Sequence, residues 1–128
     1  MNLIKATLKS IAHNENVHIT EFSFDGERLY MMALELPDDL RIGQSVTLGI
    51  KPTHIAVAKD FDIATSFDNQ LKVSVVSIDV GELLVNVKAA IGGVILEAVI
   101  THKSYLRMNF QVGDSIVMLL PASELSIV

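Results

Sequence analysis

The residues with the clearest potential for chemistry form one short segment, Ile100-Thr-His-Lys-Ser-Tyr105. Thr101 and Ser104 are three positions apart, and a turn there directs both hydroxyls to the same side as the intervening backbone amides, those of His102 and Lys103. Hydroxyls and amides donate hydrogen bonds, so the segment suits a ligand whose atoms only accept them. An ordinary Ser/Thr turn that ends a strand uses the same residue types. The residues alone leave both interpretations open.

Other reactive residue types are scattered along the chain. His13 and His18 are the closest pair of histidines, and on a strand and turn five residues apart we expect them to point to opposite faces. Neither a metal pair nor a catalytic base with a partner is therefore predicted. The chain has no Cys and no Gly-rich phosphate loop, which excludes thiol chemistry and nucleotide hydrolysis. We expect no enzymatic activity, no metal site and no cofactor.

The composition excludes several further classes of protein. Half of the 128 residues are hydrophobic, which is typical of a folded protein with a substantial core. The net charge of −5 argues against binding to a nucleic-acid backbone. No uncharged stretch approaches the roughly 20 residues of a membrane helix, and the N-terminus has no pattern of a signal peptide. We therefore expect a cytoplasmic protein that does not insert into a membrane.

The elements that position the Thr101 segment follow one plan that occurs twice. The segment Asn2-Leu-Ile-Lys-Ala-Thr-Leu-Lys-Ser-Ile11 is similar to Asn69-Gln-Leu-Lys-Val-Ser-Val-Val-Ser-Ile78. At equal distances after these segments come Asp25-Gly26 and Gly92-Gly93, both of them two-residue hairpin signals between apolar runs. The repeat predicts the same arrangement of strands in both copies.

Alternation of apolar and polar residues predicts strands in most of the chain, as in Leu83 to Ala90. Short strands with frequent turn signals predict an all-β protein made of two tandem, small antiparallel β-barrels that pack on each other. The first barrel is predicted at residues 1–60 and the second at 66–128, joined by the polar stretch from Lys59 to Asp68. Three extra residues of the second copy fall around the Thr101 segment and predict a surface loop there.

The second copy resembles the molybdate-binding Mop (TOBE) family. The resemblance rests on Thr65-Ser-Phe-Asp-Asn69, the Gly92-Gly93 hairpin, Ile100-Thr101 with Ser104, and Ala122-Ser-Glu-Leu125. The first copy resembles the family more weakly, but its segment Gly49-Ile-Lys-Pro-Thr-His-Ile55 is similar to the closing strand of TOBE domains in importer ATPases. The resemblance implies a tandem, di-Mop arrangement of two OB-like barrels.

The family binds molybdate or tungstate between domains or subunits, through hydroxyls, backbone amides and a Lys or Arg. The resemblance therefore implies an oxyanion site whose residues in this sequence are Thr101, His102, Lys103, Ser104, Ser66 and Lys51. Two positions depart from the family pattern. Asp68 stands where the family has Arg, and Pro121 stands where it has Lys. The cation at the matching place in the first copy is Lys51.

Two functions follow as hypotheses. The first is a cytoplasmic molybdate- or tungstate-binding protein that stores the oxyanion, senses it or regulates its transport. The alternative is an accessory domain of an ABC importer ATPase that makes protein contacts without binding an anion. Because neither copy alone holds both the hydroxyl cluster and Lys51, we expect the site at an interface, either between the two copies of one chain or between chains. Half of the residues are hydrophobic, more than two small barrels can readily bury, and this predicts a homodimer or homotrimer with the Thr101 segment near a subunit boundary.

Overall fold

The computed structural model describes all 128 residues. The chain forms ten strands: β1 (Asn2–Asn14), β2 (Val17–Phe24), β3 (Glu27–Ala33), β4 (Ser45–Ile50), β5 (Ala56–Ala58), β6 (Asn69–Val80), β7 (Leu84–Ile91), β8 (Val94–Thr101), β9 (Ser115–Leu120) and β10 (Ser126–Ile127). It also forms one α-helix, α1 (His102–Met108), and two 3-10 helices, Pro52–His54 and Ala122–Glu124. None of these helices has the length and apolar character needed to cross a membrane. The predicted all-β class is confirmed.

The strands form two five-stranded antiparallel sheets, one for each copy of the repeat. The copies exchange their last strands. The first sheet has the order β10-β4-β1-β2-β3, and the second has the order β5-β9-β6-β7-β8. Residues 59–68 contain no strand or helix, as the polar composition indicates, yet pairing crosses this connection in both directions. The division into domains at 1–60 and 66–128 stays a prediction.

The two copies match in detail. Both hairpins turn at the predicted residue pairs, Asp25-Gly26 and Gly92-Gly93. β1 has a bulge between Leu8 and Ser10, and β6 has one at the equivalent place, between Val75 and Ser77. Inward-facing side chains of both sheets form a single cluster of 24 buried residues. The barrels therefore pack on each other, as expected for small barrels with so much apolar surface.

Each copy begins with a buried asparagine whose side chain forms hydrogen bonds to the backbone of the other copy. Asn2 donates from Nδ2 to the Glu97 carbonyl (2.8 Å) and accepts the Glu97 amide at Oδ1 (2.7 Å). Asn69 makes the same two bonds to Tyr30, at 2.9 and 2.7 Å, and also donates to the Leu120 carbonyl. Asn2 and Asn69 are 67 positions apart, as are their partners Tyr30 and Glu97. The two contacts are therefore equivalents under the repeat.

The Thr101 segment differs from the predicted surface loop, because it opens a helix. Thr101 has extended backbone angles and its side chain accepts a hydrogen bond from the Ser104 amide, the geometry of a helix N-cap. Asn109 ends α1 in the left-handed conformation. Tyr105 and Met108, three apart, pack against the core. Seven residues are too short for a helical period to stand out in the sequence.

The expectation for His13 and His18 is wrong. A turn at Glu15, whose φ is +54°, folds the chain so that His13 on β1 lies directly opposite His18 on β2. Opposed residues of antiparallel strands point to the same face, and the two rings stack with centroids 5.2 Å apart. The prediction failed because it did not place the turn between the two histidines.

Replacing Asn69 by Ala should lower the free energy of unfolding by about 2 to 4 kcal/mol, because the Tyr30 amide and two carbonyls lose their partner at a buried site. Asn86 is a matched control, since its one hydrogen bond is a long contact of 3.5 Å to Glu97. Asn86→Ala should cost less than about 1 kcal/mol. Chemical denaturation measures both, and equal losses would contradict the role given to Asn69.

The two glycines of the second hairpin turn should differ in their tolerance of Ala. Gly92 has φ +55°, and a Cβ there would lie 2.9 Å from Cγ of Asp25 on the other copy, so Gly92→Ala should cost about 1 to 2 kcal/mol. Gly93 has open space, and Gly93→Ala should change stability by about 0.5 kcal/mol or less. Thermal melts of both variants check this. Equal effects would argue against close contact between the hairpin turns.

Candidate functional site

The end of β8 and the first turn of α1 bring Thr101 and Ser104 together. The Ser104 amide donates to Thr101 Oγ1 (3.1 Å), and the Thr101 hydroxyl donates to Ser104 Oγ (2.9 Å). The predicted proximity of the two hydroxyls is therefore present, but Thr101 uses its hydroxyl to cap the helix. Ser104 Oγ accepts, so its own proton is left for a further acceptor.

His102 forms two hydrogen bonds between the start of α1 and the turn that joins β6 to β7. Its amide donates to the Leu83 carbonyl (2.8 Å), and its ring Nδ1 lies 2.7 Å from the Gly81 carbonyl oxygen. A carbonyl oxygen only accepts hydrogen bonds, so Nδ1 carries the proton in this contact. In this structure the amide of His102 is thus already bonded within the protein and is not available to an anion.

Arg107 is a neighbour of the candidate site that the sequence analysis missed. It lies one helical turn after Ser104, and its Nη2 donates to Ser104 Oγ at 3.2 Å. Lys103, the residue before Ser104, is exposed. One guanidinium therefore contacts a hydroxyl with a free proton, and a second cation lies on the same helical turn. The spacing of Ser104 and Arg107 would have revealed this neighbour only once the segment was known to be helical.

Lys51 lies at a junction of the two copies. It is exposed at the end of β4, where a depression of about 270 Å³ is also lined by Ser123, Glu124 and Ser126 from the second copy. In the same depression, His54 Nδ1 lies 3.3 Å from Glu124 Oε2. Lys51 therefore has hydroxyls near it, and it also has a carboxylate.

Ser66 is exposed in the connection between the copies. No hydrogen bond or ion pair joins Ser66 or Lys51 to the Thr101–Ser104 pair. The 3-10 helix that follows Lys51 packs against β8, the strand that ends at Thr101. The structure thus brings together Thr101, Ser104 and Arg107, and it leaves Ser66 and Lys51 outside that group.

Asp68, one of the two departures from the family pattern, is exposed and makes no ion pair. Water can solvate its carboxylate there, so the residue has no need of a buried cationic partner. The charge at this position therefore does not disturb the fold.

Exposed leucines surround the candidate site. Leu83 is 81% exposed, Leu84 53% and Leu106 65%. Leu84 is the strand partner of Thr101, the Leu83 carbonyl binds the His102 amide, and Leu106 lies on α1 itself. The polar residues at the start of α1 thus have exposed apolar side chains as neighbours.

Comparisons with known proteins give one domain match and one match of the whole fold. Residues 65–127 match the model of the TOBE domain. The fold matches a crystal structure of the cytoplasmic molybdate-binding protein ModG with molybdate bound, with a TM-score of 0.91 and 20% sequence identity. That match covers 98% of this chain and 94% of the ModG chain. A search of curated protein sequences found no match. The comparisons therefore show a match to the TOBE domain over residues 65–127, within a fold shared with ModG over nearly the whole length of both chains.

Proposed function

We propose that this protein is a cytoplasmic, non-enzymatic binding protein for molybdate or tungstate that stores or senses the oxyanion. The fold match to molybdate-bound ModG carries the proposal, because it extends over 98% of this chain and 94% of that one. The same extent of match favours this function over the alternative of an accessory domain of an ABC importer ATPase. The TOBE domain itself occurs in the half of the chain that holds α1.

The oxyanion binds at the start of α1. A tetrahedral dianion offers only acceptor oxygens, and charge-assisted hydrogen bonds are the stronger class. The Ser104 hydroxyl, the Lys103 ammonium and the Arg107 guanidinium are donors on one helical turn. Thr101 orients Ser104, and His102 holds the helix start in place. Arg107 takes the place of the two cations that Asp68 and Pro121 do not supply.

Lys51 and Ser66 complete the site from another copy of the chain. Both side chains are exposed and make no hydrogen bond or ion pair within one molecule, either to Ser104 or to any other residue. The leucines beside α1, Leu83, Leu84 and Leu106, form an apolar border that burial in a homodimer or homotrimer would remove from water. Association would thereby add donors to the site and cover its apolar surroundings.

Ser104→Ala should weaken molybdate binding about 10- to 100-fold, because one hydrogen bond to a dianion is lost, while Thr101 still caps α1 through the Ser104 amide. Arg107→Gln should weaken it by a similar factor. Arg41→Gln is the matched control, since Arg41 is exposed and outside the site, and it should bind like the original protein. Isothermal titration calorimetry with sodium molybdate and sodium tungstate, and with sodium chloride as the control salt, gives these affinities.

The calorimetric results distinguish failure of the proposed function from failure of the proposed binding site. No heat with millimolar molybdate or tungstate would overturn the proposed function. Binding that persists unchanged in both Ser104→Ala and Arg107→Gln would place the anion elsewhere. Lys51→Gln and Ser66→Ala then test the two remaining residues of the predicted set.

Light scattering at tens of micromolar protein should give the mass of a dimer or trimer. Leu106→Glu should lower that mass and also weaken molybdate binding, because it places a charge in the apolar border of the site. Ile42→Glu is the control, since Ile42 is 60% exposed but lies in the first copy, between β3 and β4. A monomer with and without molybdate would remove the intersubunit part of the proposal.

A further inference from the structure

The tip of the first hairpin carries two imidazoles in contact. We call residues 10–21, the paired ends of β1 and β2, the first arm. His13 and His18 face each other across it, with ring planes inclined by 30°. Neither ring makes a hydrogen bond or an ion pair, and Nδ1 of His18 is buried without a partner. Since each neutral imidazole has one nitrogen with a free lone pair, two such lone pairs lie in adjoining rings.

The fold does not require histidine at these positions. In the second copy the equivalent arm pairs Val80 of β6 with Val85 of β7. Two valines therefore close the same hairpin in the same fold, through apolar contact alone. Leaving a buried ring nitrogen without a partner costs free energy, which an apolar pair avoids. The His13–His18 pair is thus a local departure from the repeat that packing does not explain.

We propose that His13 and His18 bind a divalent transition-metal ion of the kind that prefers imidazole, such as Zn²⁺ or Ni²⁺. Imidazole nitrogens bind Zn²⁺ at about 2.0 to 2.1 Å, so two ligands of one ion must lie about 3 to 3.5 Å apart. Rings whose centroids are 5.2 Å apart reach that separation by rotating about their side-chain bonds. After rotation of the His18 ring the metal binds Nδ1, the nitrogen that otherwise has no partner.

The protein supplies two ligands to such an ion and no third. No cluster of three or more His, Asp or Glu side chains is placed to hold a metal, so water fills the positions that the two imidazoles leave. The strand ladder fixes the two Cβ atoms at the spacing of a cross-strand pair, which limits the entropy lost on binding. The net charge of −5 attracts cations. A bound ion joins β1 to β2 at the far end of the first arm.

Calorimetric titration of the tag-free protein with ZnCl₂ and NiCl₂ tests the site. The decisive variant is His13→Val with His18→Val, which reproduces the valine pair of the second arm and should fold normally. It should abolish binding of both metals and the rise in melting temperature that they cause in the original protein. Each single replacement should weaken binding by about tenfold or more, because one of the two ligands of the chelate is lost.

Controls separate this pair from the other histidines. His102→Gln should bind Zn²⁺ like the original protein, because the His102 ring already binds the Gly81 carbonyl. The proposal is overturned if millimolar Zn²⁺ and Ni²⁺ give no binding. It is equally overturned if the double valine variant binds as well as the original, or if one single variant does. Molybdate binding should be the same in the double valine variant and in both single valine variants, so failure of the metal site leaves the proposed function unaffected.

Discussion

The buried amide side chains of Asn2 and Asn69 are the contacts on which the arrangement of the two copies depends. Each one occupies both the donor and the acceptor of a backbone residue on the other copy, Glu97 and Tyr30. β8 and β3 are edge strands of their sheets, so these backbone groups would otherwise be left without partners inside the junction. The side-chain amide of Asn has one donor and one acceptor side by side, as a neighbouring strand would offer. An apolar side chain at position 2 or 69 could not bond to these backbone groups.

This reciprocal pairing explains how such small barrels form one stable unit. Each last strand, β5 or β10, has only two or three residues and belongs to the sheet of the other copy, where it pairs with β9 or β4. The core is therefore continuous across the junction, and neither barrel is complete without residues of the other. The contact between Asp25 and the amide of Gly93 ties the two hairpin turns in the same manner. The surface away from these contacts is free to differ between the copies.

Much of this architecture could be predicted from the residues, because strands and hairpin turns have local sequence signals. Features without a local signal could not be predicted. Alternating hydrophobicity identifies strands, and Asp25-Gly26 and Gly92-Gly93 identify hairpin turns, because both signals are local. The strand exchange could not be predicted, since β5 and β10 are too short to show a pattern. α1 was missed for the same reason, and Arg107 with it. The error over His13 and His18 arose because a shift in the position of one turn reverses which residues share a face.

An internal repeat offers a control that a single domain lacks. Where both copies have the same residue in the same contact, as with Asn2 and Asn69, the fold itself accounts for that residue. Where the copies differ while the backbone stays the same, as with His13–His18 and Val80–Val85, the fold accounts for neither choice. The helical insertion that brings Arg107 beside Ser104 is a larger difference of the same kind. In a chain with fifteen acidic residues, Lys103 and Arg107 place two cations on one helical turn. Both of the proposed ligand sites therefore lie at places where the copies diverge.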